Sequence, residues 1–118
     1  MTSFLKPESE LRRGYKDKKR LAMVASYPCL ICESPANVHH FWGQGAGLKA
    51  SDLLTIPLCR NCHQGTGGLH DNLAAFEKKY GTQKELINEV NERIFQDNNL
   101  KGKDLRAYEL IKQFCKKD

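Results

Sequence analysis

Residues 29–63 read CLICESPANVHHFWGQGAGLKASDLLTIPLCRNCH, and this segment contains two Cys-x-x-Cys pairs separated by 26 residues. Two tight turns of this kind can present four thiolates to one zinc ion, which prefers a tetrahedron of ligands. Paired spacing is typical of such a metal site. We therefore predict a structural Zn²⁺ site whose ligands are Cys29, Cys32, Cys59 and Cys62.

The composition suits one small domain that has an anionic partner. The chain has 118 residues, of which 40% are hydrophobic and 8% aromatic, so its core is thin. A structural zinc would add to its stability, since such sites contribute about 10–16 kcal/mol to the folding of small modules. The net charge of +5 favours nucleic acid as a partner. A soluble surface with a mild positive excess is the alternative interpretation of the same charge.

The cysteine content and the N-terminus indicate an intracellular protein. Five cysteines are an odd number, and their paired spacing suits metal thiolates in a reducing compartment better than disulfides. The first residues, MTSFLKP, lack the apolar region of a signal peptide. The apolar run 21–25 is too short to cross a bilayer. We expect a soluble protein with no membrane partner.

The chain divides into three segments. A basic N-terminal arm and helix occupies 1–26, the part with both cysteine pairs occupies 27–97, and a C-terminal helix occupies 98–118. Within the first segment a helix is predicted from 8 to 26, because a residue before proline avoids helical geometry and Pro28 follows. Within the last segment, an aspartate at position 104 is predicted to cap the helix.

The central segment is predicted to contain a hairpin followed by helices. Residues 36–41 and the apolar residues 52–58 read as strands, and Pro57 restricts the second strand to a sheet edge or a bulge. Residues 72–80 show helical periodicity. A second helix is predicted to start at position 82, where Thr-Gln-Lys-Glu forms a capping box. This order of elements predicts an α+β fold.

All four histidines lie in the central segment, at positions 39, 40, 63 and 70. Neighbouring residues on a strand point to opposite faces, so His39 and His40 cannot reach one ion equally well. One of them can bind a metal while the other remains a free base. His63 and His70 follow the second strand and can close on the same ion, since imidazoles suit zinc and other transition metals. A zinc ribbon with incidental histidines is the alternative.

Several stretches resemble the core of the HNH endonucleases. They are Cys29-x-x-Cys32, Val38-His-His-Phe41 and Pro57-Leu-Cys-Arg-Asn-Cys-His63. Residues 52–59 and 76–87 are also similar to the phage recombination-enhancement nucleases, the Ref-like, RecA-dependent group of this superfamily. The resemblance extends over about 70 residues of the central segment, from Tyr27 to Phe95.

The resemblance implies a fold, an activity and partners. The fold would be a small α+β arrangement with a zinc-stapled ββα-metal (HNH) core and flanking helices. The activity would be metal-dependent hydrolysis of DNA phosphodiester bonds by a phage- or prophage-derived enzyme acting in recombination or repair, in the cytoplasm of the bacterial or phage host cell. DNA would be the substrate, and a RecA-type recombinase filament would be a partner. The alternative is a non-catalytic zinc-ribbon module that binds nucleic acid or a protein.

The resemblance also implies roles for individual residues. His39, His63 and His70 would bind a divalent catalytic metal (Mg²⁺, Mn²⁺ or Zn²⁺), and His40 would be the general base. The central asparagine of the HNH motif is missing from its usual place. Asp52 is the nearest polar candidate, and it would either orient His40 or touch the metal.

A set of basic residues is predicted to contact the DNA backbone. Such contacts bind phosphate without reading the base sequence. For those in the N-terminal helix, a solvated helix face is the alternative. The set comprises Arg12, Arg13, Lys16, Lys19, Arg20, Lys49 and Arg60. The fifth cysteine, Cys115, stands apart on a predicted helix and is interpreted as a small buried hydrophobic residue.

Overall fold

A β-hairpin surrounded by helices forms the fold of the computed structural model, which describes residues 16–41 and 51–116. These residues contain a two-stranded sheet and five helices, so the predicted α+β class is confirmed. None of these helices is long and apolar enough to span a membrane. In chain order the elements are α1 (Lys18–Ala25), β1 (Asn37–His40), β2 (Thr55–Leu58), α2 (Arg60–Gln64), α3 (Leu73–Tyr80), α4 (Gln83–Asp97) and α5 (Gly102–Lys116).

The two strands form an antiparallel hairpin, as predicted, but the second strand begins at Thr55 and not at position 52, because residues 52–54 form a turn. His40 lies opposite Thr55 and His39 opposite Ile56. Pro57, which cannot donate a backbone hydrogen bond, is accommodated in this edge strand, and its carbonyl accepts the N–H of Leu30 at 3.1 Å. All four residues of β2 are buried, whereas β1 is only partly covered. The hairpin therefore has one strand, β2, in the core and one strand, β1, with side chains that are accessible at the surface.

The corner between α3 and α4 is formed by Gly81 and by the predicted capping box that follows it. Gly81 ends α3 with φ +110°, a backbone conformation that favours glycine, and its N–H donates to the carbonyl of Glu77 at 2.9 Å. The capping box is present: Thr82 Oγ1 accepts the N–H of Glu85, and Glu85 Oε1 accepts the N–H of Thr82 at 2.8 Å. These bonds determine the direction in which α4 leaves the corner.

Two predicted helix starts are wrong. The last helix begins at Gly102, two residues before the predicted cap Asp104, which therefore lies in its first turn and accepts from Lys19 Nζ at 2.5 Å. In the N-terminal helix, Lys16 and Asp17 are not helical, and helix α1 starts at position 18. There the side chain of Asp17 accepts the N–H of Arg20 at 3.0 Å and so acts as the N-cap. Residues 8–15 of the predicted helix lie outside the described residues.

The hydrophobic core joins the hairpin to the C-terminal helix. Leu54 and Ile56 next to and within β2 share one cluster with Ile111 and Phe114 of α5. A smaller cluster of Val24, Val90 and Ile94 packs α1 against α4. Helix α5 is therefore part of the same core as the hairpin.

Arg20 is a correction to the predicted DNA-binding set. Its side chain is only 2% exposed, and Nη2 donates to Asn91 Oδ1 at 3.0 Å. Burial lowers the pKa of the guanidinium to about 10. Asn91 in turn donates to the carbonyl of Tyr108 at 3.2 Å. Arg20 therefore connects α1 to α4 and α5. Because its side chain is buried, it cannot contact a DNA phosphate.

Replacing Arg20 by alanine should lower the free energy of unfolding by about 3 kcal/mol. The change leaves a cavity and removes the donor to a buried amide oxygen. Urea denaturation measures this loss. Lys18→Ala, on the exposed side of the same helix, should change stability by less than about 0.5 kcal/mol. An Arg20→Ala protein as stable as the Lys18→Ala control would contradict this role.

Candidate metal centre and adjacent histidine–aspartate pair

The four paired cysteines lie together at the base of the hairpin. Cys32 Sγ lies 3.4 Å from Cys59 Sγ and 3.8 Å from Cys62 Sγ, and all four sulfurs, including that of Cys29, lie within 4.8 Å of one another. Sulfurs at the corners of a tetrahedron around zinc are about 3.8 Å apart, given Zn–S bonds of about 2.3 Å. The cluster can therefore hold a metal such as zinc.

Local hydrogen bonds shape both cysteine turns. In the first turn the N–H of Cys29 donates to Ser34 O, and the N–H of Glu33, a residue at φ +64°, donates to Cys29 O, both at 2.9 Å. In the second turn Cys59 is the N-cap of α2, and its sulfur accepts the N–H of Cys62 at 3.4 Å. Each turn thus points two sulfurs toward the other turn.

The local environment of Cys32 favours its thiolate form. Hydrogen bonds with Ser34, whose Oγ lies 3.3 Å from the sulfur, and with Cys59 lower the pKa of Cys32 to about 6. Burial raises the pKa of Cys62. The thiolate is the form of cysteine that binds metals. Cys115 differs, since burial raises its pKa to about 12 and it packs against the core as a small hydrophobic residue.

Three of the four histidines form a second cluster beside the thiols. His39 Nδ1, on β1, lies 2.9 Å from Nε2 of His63, on α2. The ring of His70 lies 4.7 Å from that of His63 and 5.4 Å from that of His39, measured between centroids. One nitrogen of each ring lies within 4.8 Å of the others. The structure therefore brings together the three histidines that the resemblance assigns to a catalytic metal.

A glycine loop returns His70 to the cluster despite its distance along the chain. The N–H of His70 donates to His63 O at 3.0 Å, and the N–H of the buried Leu69 donates to Cys62 O at 2.9 Å. A Cβ atom at Gly68 would lie 2.8 Å from the same Cys62 oxygen. Only glycine allows this close approach, so the loop folds back across α2.

His39 is held in the neutral form that binds metals. Its side chain is 2% exposed, and burial lowers its pKa to about 4. Burial also lowers the pKa of His63. The second ring nitrogen of His39, Nε2, lies 3.0 Å from Oε1 of Gln83. No local sequence pattern indicates the contact of Gln83 with His39, because the two residues are 44 positions apart.

His40 points to the opposite side of β1 and meets Asp52. The distance from His40 Nε2 to Asp52 Oδ1 is 2.9 Å, and Asp52 Oδ2 accepts the N–H of Asp17 at 2.8 Å. Burial alone would raise the pKa of the Asp52 carboxyl. The two hydrogen bonds and the charge of Lys16 lower the pKa by more than burial raises it, so the pKa of Asp52 lies below its ordinary value. Of the two expected positions for Asp52, beside His40 or at the metal, the structure has the one beside His40.

The predicted phosphate contacts have different surroundings. Lys16 and Arg60 are exposed, and Lys19 is exposed while paired with Asp104. Arg20 is buried, as described above. Three further members of the set lie outside the described residues: Arg12, Arg13 and Lys49.

The thiol cluster and hairpin define a small α+β protein with a candidate zinc centre. The chain belongs to the family described as "Protein of unknown function (DUF968)", whose model matches residues 2–96. It is 44% identical over 80 residues to "Uncharacterized protein YdfU" of Escherichia coli strain K12. That alignment covers 64% of this chain but 22% of the relative, so the chain corresponds to about a fifth of the relative's length. No solved structure matches the chain.

Replacing Cys59 by alanine should reduce the thiolate-to-cobalt charge-transfer absorption of the Co²⁺-loaded site, since only three sulfurs remain, and should lower the thermal midpoint. The reason is that the binding energy of a structural metal is part of the folding energy. Cys115→Ala is the matched control and should retain the absorption, because Cys115 lies outside the cluster. Full charge-transfer intensity in Cys59→Ala would contradict the assignment.

Proposed function

We propose that the protein is a metal-dependent endonuclease of the HNH type that hydrolyses DNA phosphodiester bonds. The observation that carries the proposal is the arrangement of two neighbouring strand residues. His39 joins a three-imidazole cluster on one side of β1, and His40 pairs with a carboxylate on the other side. This is a metal-binding group and a base held within one residue of each other, as hydrolysis of a phosphodiester requires.

The contact with Asp52 prepares His40 to accept a proton. A neutral imidazole carries one N–H, and a carboxylate can only accept, so the proton lies on Nε2. The lone pair is then on Nδ1, which no hydrogen bond among the described residues occupies. With its side chain 33% exposed, His40 is accessible to water. Nδ1 is thus the atom that removes a proton from the attacking water.

Helix α1 holds the base in place through Asp52. The carboxylate is bonded on both oxygens, to His40 and to the backbone N–H of Asp17. Asp17 is itself the N-cap of α1, and Arg20 anchors that helix to α4. The orientation of the imidazole therefore depends on a helix outside the hairpin.

The histidine cluster has the donor set that a divalent ion needs. Burial keeps His39 and His63 neutral, and three imidazoles leave a coordination position for phosphate or water. When bound there, such an ion would stabilise negative charge on a phosphate oxygen and on the leaving 3′-oxygen. The four-thiol cluster already supplies four ligands, so its role in this proposal is to hold the hairpin and α2 together.

DNA is the proposed substrate because of charge and resemblance. The net charge is +5, and two basic side chains are exposed: Lys16, which precedes α1, and Arg60, at the start of α2. The resemblance to the phage recombination-enhancement nucleases extends the proposal to recombination or repair in the bacterial or phage host cell, with a RecA-type recombinase filament as a partner. A non-catalytic zinc module would use the thiol cluster and leave the histidine groups without a purpose.

Replacing His40 by alanine should reduce nicking of supercoiled plasmid by about 10²–10⁴-fold, because general-base catalysis typically contributes that much. The assay uses the full chain with Mg²⁺, Mn²⁺ or Zn²⁺, and a chelator should abolish nicking. Asn37→Ala, an exposed change on the same strand, should nick as the wild type does. DNA binding without cleavage by the wild-type protein under all three metals, with and without a recombinase filament, would favour the non-catalytic module.

Changes at Asp52 should have a graded effect. Asp52→Asn retains an oxygen that can accept from His40, whereas Asp52→Ala removes both bonds. The turnover rate should therefore fall in the order wild type, Asn variant, Ala variant, with the Ala variant no slower than His40→Ala. Single-turnover rates measure the order. Equal rates for the Ala variant and the wild type would exclude an orienting role.

A further inference from the structure

A buried glutamine contacts the histidine cluster from α4. Gln83 is 3% exposed, although amide side chains are mostly found at the surface. Its Oε1 lies 3.0 Å from His39 Nε2, the ring nitrogen that faces away from His63. A buried polar side chain aimed at a candidate metal ligand indicates more than packing, because metal-binding histidines usually donate their second N–H to an acceptor.

The contact determines which nitrogen of His39 carries the proton. A carbonyl oxygen can only accept, so the bond requires a hydrogen on Nε2. Neutral imidazole has one hydrogen, and Nδ1 therefore has a lone pair. That lone pair points toward His63 Nε2, 2.9 Å away, and into the cluster. The opposite tautomer would place a hydrogen where a metal must bind.

The corner before α4 holds Gln83 in this position. The backbone N–H of Gln83 donates to Glu77 Oε2 at 3.0 Å. The residue before it, Thr82, is the N-cap, and its capping box with Glu85 fixes the first turn of the helix. Gly81 provides the positive φ that this corner requires. The amide is thus presented from a rigid helix start.

We propose that Gln83 is a positioning residue that holds His39 in its Nε2–H tautomer and thereby directs Nδ1 toward the ion shared with His63 and His70. The inference rests on the proposed function, since it concerns the same metal group. It also assigns part of that group's support to α4, which contributes no ligand.

The test compares Gln83→Met with Gln83→Glu in protein whose thiol site is already filled with Zn²⁺. Co²⁺ is then titrated into the histidine cluster and followed by its visible absorption. Methionine fills similar volume but offers only a weak acceptor, so binding should weaken by about 10–100-fold. Glutamate keeps the acceptor and should bind at least as tightly as wild type. Gln96→Met, an exposed change on the same helix, should leave Co²⁺ affinity unchanged.

The ¹⁵N shifts of the His39 ring, in protein with zinc only at the thiols, give a second readout. Wild type should show the Nε2–H tautomer, and Gln83→Met a mixture. An Nδ1–H tautomer in wild type, no Co²⁺ binding at the cluster, or unchanged affinity in a folded Gln83→Met would overturn the inference. Neither readout uses DNA. A wild-type protein that gives the expected shifts and affinities but cuts no DNA therefore supports the role of Gln83 and contradicts the endonuclease.

Discussion

The arrangement of the site depends on the contact between the two cysteine turns. One turn precedes β1 and the other begins α2, so a metal held by their sulfurs would tie together the two ends of the hairpin. His63 directly follows Cys62 on α2, and His39 lies on the strand that the first turn leads into. A shift of one turn against the other would separate these imidazoles. In a chain with a thin core, a metal at the four sulfurs would keep His39 and His63 close together.

The helices around the hairpin act on the site through two buried polar contacts. The backbone N–H of Asp17 at the start of α1 donates to Asp52, whose other oxygen lies 2.9 Å from His40 Nε2. Gln83 at the start of α4 bonds His39. Both contacts come from helix starts, where capping interactions restrict the backbone most strongly. The helices thus hold the chemical groups as well as covering the core.

Local features of this fold were predictable from the sequence, and distant polar contacts were not. Cysteine spacing, strand alternation and the capping box at Thr82 each depend on neighbouring residues, and the structure contains all three. The opposite directions of His39 and His40 follow from strand geometry alone. The prediction that Arg20 contacts DNA is wrong because a basic helix residue usually faces solvent, and the residue that Arg20 bonds, Asn91, is 71 positions away. The contact of Gln83 was missed for the same reason, since pairing over such distances leaves no local pattern.

The central claim is that the imidazole cluster binds an ion while His40 remains uncoordinated. Anomalous diffraction from crystals of the full chain grown with Zn²⁺ and soaked in Mn²⁺ tests it directly, because the two metals are distinguished by their absorption edges. The account predicts zinc at the four sulfurs, and a second ion, of either metal, at His39, His63 and His70, with His40 bonded to Asp52 alone. A metal signal confined to the sulfurs, or a second ion coordinated by His40, would contradict it.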